Sequence, residues 1–300
     1  MRKVNLNEKE TLENILTNNT IENPAEAIEL MMKYYIQKGL DRDNLEEEIF
    51  NFINSHEDVY SSYEWWSEFA SKKINKAFNL IAFGLIENKI YNANLFTLDK
   101  VEIYKEEIEI INCLETDELR NLAFIMLVYA KINTMKREFK IGRQIDEKGN
   151  LKDREYWISN LDTDCITAIF TEAGSKRLAL EPRMKELVEI IKHDMIEPRC
   201  GKNNNLKLLY VKDEGEVAFT IEDFADDTVI FNYLLYCYPN DYTKCEKCGK
   251  YFKKQKKNQM YCFSCGHTKQ LTDRQLEAKQ KEKTKQKAKP ALLKGKGKRK

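Results

Sequence analysis

Two cysteine pairs, Cys245 with Cys248 and Cys262 with Cys265, each of the form C-x2-C and thirteen residues apart, constrain this chain more than any other feature. Two residues between paired thiols let the backbone turn back so that both sulfurs meet one ion, and four sulfurs satisfy the tetrahedral preference of zinc. Gly249 and Gly266 follow the two pairs and relieve the turns, while Tyr251, Phe252, Tyr261 and Phe263 flank them. In a module too short to bury a core, those rings and the ion supply the cohesion, the metal contributing on the order of 10 kcal/mol or more. Sulfur-only ligation leaves no open position for water, so a structural Zn2+ is expected, not a catalytic one. His267 directly follows the second pair and is an alternative to Cys265, but the four-sulfur set is simpler. A thioredoxin-like role would need a βαβ context, whereas these pairs sit beside turns and lysines.

The thirteen intervening residues include five lysines, Lys250, Lys253, Lys254, Lys256 and Lys257, and Lys269 continues the field. They belong to a wider division of charge. Residues 241–300 hold 20 Lys+Arg against 5 Asp+Glu, leaving 30 against 44 for residues 1–240, although the whole chain is nearly neutral at +1. A basic arm on an acidic body points to a polyanionic partner, and lysine clusters neutralise phosphates and release counterions. These six lysines are therefore the expected contacts to nucleic acid, DNA or RNA. Only Arg274 and Arg299 offer guanidinium forks there, so affinity is expected to exceed base discrimination. Outward-facing rings of the module would stack on bases, but packing around the zinc is the simpler fate of all four.

The rest of the chain reads as mainly α. Asn23, Pro24 and Glu26 open a helix that Gly39 closes, predicting 24–38. Asp43 and Glu46 open a second to about Asn54; apolar periodicity continues over 61–90, with Gly84 a candidate break, and Thr97 and Thr116 are candidate caps of two more. EKGN at 147–150 reads as a turn, and short helices are expected over 164–173 and 183–196. LKLLYV and EVAFTI, joined by KDEG at 212–215, read as a small β-hairpin, and a helix over 226–238 stops at Pro239. Thr272 and Gln275 suit a capping box over a solvated helix, and the terminal KGKGKRK lacks the apolar residues to fold. The expected organisation is a helical domain over 1–200, a hairpin and connecting helix packed on it over 201–240, a zinc ribbon over 241–269, and a lysine-rich helical or disordered tail over 270–300.

The segment KCEKCGKYFKKQKKNQMYCFSCG, preceded by a predicted hairpin and helix, resembles the C-terminal zinc ribbons of bacterial and phage proteins, including the CGNR zinc-finger group. The resemblance implies that Cys245, Cys248, Cys262 and Cys265 bind zinc and that the lysines between them face nucleic acid. His267 and Thr268 stand where that group carries Asn-Arg, and the likeness spans about forty of the 300 residues.

Other readings are weaker. The longest apolar run, LAFIMLVYA at 122–130, is half a bilayer span, so no membrane association and a cytosolic location are expected. Cys113, Cys165, Cys200 and Cys237 are scattered singly and read as small core residues. An HNH-type nuclease would want histidines beside the knuckles, but the loop between them has none, and His56 and His193 suit packing or surface roles. Glu222, Asp223, Asp226 and Asp227 suit a helix start better than a magnesium site, and YEWW at 63–66 suits an aromatic anchor. Arg177, Arg183, Arg199, Lys176, Lys185 and Lys192 amount at most to an ordinary basic helix surface. No catalytic residue is assigned. The expected function is non-catalytic nucleic-acid binding, with the helical body recognising a protein or a second copy of the chain. A protein-docking adaptor, including one acting between phage and host, is the alternative, followed by a nuclease, toxin or small-molecule site in the body.

Overall fold

The computed structural model describes residues 5–83, 92–143, 150–158, 163–174, 180–199, 205–224 and 228–266. The chain divides into two compact units, Met1–Val229 and Ile230–Lys300. Among the described residues helices dominate, with seven short strands in three small sheets. No described helix is long and apolar enough to cross a membrane. His267, Lys269, Thr272, Arg274, Gln275, Arg299 and the lysine tail lie outside the described residues, as do Gly84, the EKG of the predicted turn and Asp226 and Asp227. The same holds for Lys176, Arg177 and Cys200, and for the side chains of Cys165, Arg183 and Arg199.

In the first unit, α1 (Glu8–Asn18), α2 (Pro24–Gln37), α3 (Arg42–Asn54) and α4 (Tyr63–Phe83) enclose one apolar cluster that includes Leu12, Ile28, Met32, Leu45, Ile49 and Ile74. α2 starts as its sequence dictates: the Asn23 side chain accepts the Glu26 amide, and Pro24 stands where the first helical N–H would have had no partner. α3 starts one residue before the predicted Asp43, because Asp41 is the cap and accepts the amide of Asn44. YEWW divides its two tryptophans. Trp66 packs edge-on against Tyr60, whereas Trp65 is 55% exposed and stacks on Phe69.

The second half of this unit is organised by α6 (Asp117–Ile141), capped by Thr116 and buried without interruption from Leu122 to Ile132. The apolar run 122–130 is thus the centre of a core, a helix apolar on all sides because it is covered on all sides. β1 (Val101–Tyr104), α5 (Lys105–Asn112), β2 (Tyr156–Ile158), α7 (Thr163–Glu172) and α8 (Leu180–Lys192) pack on it. Thr97 caps no helix; it bridges to Asn7, and the next helix begins after Tyr104. α8 ends at Lys192, short of the predicted 196: Asp194 turns left-handed at φ 55° and the chain enters β3 (Ile196–Arg199).

The predicted hairpin of LKLLYV with EVAFTI does not form. β4 (Asn205–Leu208) is the middle strand between β2 and β3, while β5 (Val217–Ile221) pairs antiparallel with β1 in a separate sheet. The KDEG connection is drawn elsewhere. The Lys212 amide donates to Glu107 at 2.8 Å, the Tyr156 hydroxyl donates to Asp213, and Arg154 lies 3.5 Å from the same carboxylate. Glu107 is fully buried, 2.8 Å from the buried Lys131 ammonium. An isolated buried carboxylate would cost several kcal/mol, so ligation by Lys131 and two backbone amides fixes where this segment runs. Of the single cysteines, Cys113 is exposed instead of filling core, its thiol donating to the Glu109 carbonyl at 3.3 Å. His56 is buried and structural, with Nδ1 2.8 Å from the Phe52 carbonyl and Nε2 against Asn19.

Candidate metal centre

In the second unit α9 (Thr228–Cys237, of which Ile230 onward belongs here) leads through Pro239 into an antiparallel pair, β6 (Tyr242–Lys244) and β7 (Tyr251–Lys253). The six residues between these strands are the first cysteine knuckle. Its geometry is closed by the Cys245 amide donating to the Lys250 carbonyl at 2.9 Å and the Gly249 amide to the Cys245 carbonyl at 2.8 Å. Gly249 holds φ +71°, a left-handed turn that a side chain would strain; Gly266 is not left-handed.

Residues directly opposite in an antiparallel pair share a face. Tyr242 opposite Lys253 and Lys244 opposite Tyr251 therefore lie on one side of the hairpin, and each lysine ammonium stands over the facing ring, at 5.7 and 5.0 Å. That side packs on α9: Phe231 stacks on Tyr251 with centroids 5.8 Å apart and meets Tyr242 edge-on at 6.0 Å. The hairpin is thus braced on the helix before it by aromatic contacts that spacing alone does not reveal. Its one sequence signal is the period-two match of YTK with YFK on either side of the knuckle.

The second knuckle closes on the first. The Glu246 amide donates to the Met260 carbonyl at 3.1 Å, and the Gly266 amide to the Cys262 carbonyl at 2.8 Å. Ligand atoms of Cys245, Cys248, Cys262 and Cys265 all lie within 4.8 Å of one another, and they are the one such group among the described residues. The sulfurs of Cys248 and Cys262 are 3.7 Å apart, far beyond a disulfide bond, and all four thiols are unbridged. Four cysteines so placed can hold a metal ion. Cys245 is buried and Cys248 exposed, so the cluster lies just beneath the surface.

Crowding polarises the thiols. Burial raises the pKa of Cys245, but backbone amides of Cys262, Cys248 and Lys247, with the Cys248 thiol, outweigh it and bring Cys245 down to about 6. Cys265 goes the other way, pushed up to about 12 by hydrogen bonding with Cys248, then by burial, then by Cys262 and the negative charge on Cys245. Four adjacent thiolates repel one another, and a bound cation is the group that would let all four ionise together.

The predicted lysines divide. Lys253 leans over Tyr242, and Lys254 is half-buried with its ammonium donating to the Pro239 carbonyl at 3.2 Å. Lys250, Lys256 and Lys257 are exposed and no carboxylate pairs with them among the described residues. Lys247, inside the first pair, is exposed in the same way and was not singled out by the sequence. Residues 230–266 carry seven lysines against Asp241 and Glu246. No protein-family model matches this chain, and no curated protein and no solved structure matches it.

Proposed function

We propose that the four sulfurs hold one structural zinc ion and that the resulting clasp displays lysines to the phosphates of a nucleic acid. The observation that carries the first half is the sulfur spacing. A tetrahedral site with Zn–S bonds of about 2.3 Å has sulfurs about 3.8 Å apart, and Cys248 and Cys262 stand 3.7 Å apart. The lowered pKa of Cys245 suits a thiolate ligand, and the resemblance of residues 244–266 to C-terminal zinc ribbons favours the same metal. The second half rests on charge. Lys247, Lys250, Lys256 and Lys257 are exposed with no carboxylate partner among the described residues, and cations so placed neutralise phosphate without reading sequence.

The test measures binding of the full-length, metal-replete protein to random-sequence DNA and RNA by fluorescence anisotropy across salt concentrations. Affinity should fall linearly on a log–log scale with added salt. Replacing Lys250, Lys256 and Lys257 with Gln should make that slope shallower by about two to three, at roughly 0.7 to 0.9 per phosphate contact. Absence of binding at low salt, or binding indifferent to salt, would overturn the proposal.

A further inference from the structure

Small zinc modules spend their aromatic side chains on cohesion, and three rings here follow that rule: Tyr251, Phe252 and Tyr261 are half-buried. Phe263 does not. It sits between Cys262 and Cys265 and is 76% exposed, the most exposed of the large apolar side chains among the described residues, and Met260 on the same knuckle is 52% exposed. Phe263 stands at the start of the helical turn 263–266, which carries it between the two cysteines. Leaving it in water forgoes the gain from burying it, and the surrounding unit carries five more positive than negative charges over residues 230–266.

An outward ring amid lysines that no carboxylate pairs with among the described residues matches one ligand in both respects. Single-stranded nucleic acid offers flat, apolar base faces for stacking together with a phosphate chain for the lysines. A duplex offers the phosphates but keeps its base faces stacked on each other, so the ring would have to wedge a step apart to use them. Resting on the nucleic-acid reading above, we infer that this module binds single strands in preference to duplexes, with Phe263 as the stacking platform and Lys247, Lys250, Lys256 and Lys257 holding the backbone.

The experiment compares the full-length protein and its Phe263→Ala and Phe263→Tyr variants. Each binds labelled thymidine and uridine oligonucleotides of about 15 nucleotides, near the upper site size of a single-strand binding domain, and a duplex of the same length. Elemental analysis first shows that each variant retains stoichiometric metal, so that a collapsed knuckle is not mistaken for a lost contact. Wild type should favour the single strands. Phe263→Ala should weaken single-strand binding about 5- to 150-fold, the range for losing one stacked base, while the duplex affinity and both salt slopes stay unchanged. Phe263→Tyr, which keeps a ring, should restore single-strand binding. Equal wild-type affinity for single strands and duplex, or single-strand affinity within twofold of wild type in Phe263→Ala, would overturn the inference while leaving salt-dependent lysine binding intact. Failure of wild type to bind any probe would remove the nucleic-acid reading itself.

Discussion

Stripping the metal from the intact protein should melt residues 242–266 and leave the centre of α6 untouched. The magnitude follows from what each unit buries. Between residues 230 and 266 the buried apolar side chains other than the ligand Cys245 are Ile230 and Tyr233, both on α9 and neither in the knuckles. At about 1.5–3 kcal/mol for each large side chain fully buried, they supply roughly 3–6 kcal/mol, against about 10–16 kcal/mol for a structural zinc. On the proposed reading the ion would contribute more than these two side chains, and the hairpin it would close is only three residues long on each strand. α6, in contrast, has every side chain from Leu122 to Ile132 buried within the first unit's core. Hydrogen exchange followed by mass spectrometry reads both regions in one sample, before and after dialysis against a strong chelator with metal loss verified by elemental analysis. Peptides covering 242–253 should pass from protected to fully exchanged within the first time points, because the bonds from Cys245 to Lys250 and from Lys254 to Asp241 open together. Peptides covering 122–132 should exchange as slowly as before. Unchanged protection of 242–253 in demonstrably metal-free protein would refute the reasoning, since the hairpin would then be held by something other than the clasp.

Two further outcomes follow. Gly249→Ala places a side chain at φ +71°, where an L-residue is disfavoured by about 1–2 kcal/mol, so metal affinity in a chelator competition should fall about 5- to 30-fold. In the first unit Lys131→Met leaves Glu107 buried and without its ammonium, which should cost about 3–5 kcal/mol in urea unfolding, whereas Lys131→Met with Glu107→Gln should recover much of that loss. The sign of its pH dependence is set by Glu107. Burial, the leading cause, raises its pKa in the folded protein even with Lys131 present. A group whose folded pKa is raised gives its full stability below its unfolded value and loses it as pH rises through the folded one. Lys131→Met should therefore be less destabilising near pH 4 than at pH 7, and a penalty equal at both would sink this account of the pair.

What the sequence discloses depends on whether a signal is local. The start of α2 is legible because Asn23, Pro24 and Glu26 complete it among themselves, and the four sulfurs are legible because C-x2-C is a local turn repeated at a spacing a ribbon can close. Strand partnership is not local. LKLLYV and EVAFTI have the composition of strands and the linker of a hairpin, but four or five residues of this kind pair equally well with any edge. The choice is made by Glu107, Lys131, Asp213, Tyr156 and Arg154, which are scattered over more than a hundred residues and share no local pattern in the sequence.

Phe263, too, becomes distinct only in three dimensions. Tyr251, Phe252, Tyr261 and Phe263 are all aromatic and all close in sequence to a cysteine, and a small module favours burying every one. Their fates separate because two occupy β7, where register turns Tyr251 onto Phe231 of α9, while Phe263 opens the helical turn 263–266 between Cys262 and Cys265. A strand residue can be rotated toward a neighbour by the pleat. A residue between two sulfurs that must both point at one ion has its own direction dictated by theirs, and the direction left to it is outward. On the function proposed above, the exposure of this ring follows from the C-x2-C constraint, and the stacking platform and the metal clasp would be one device.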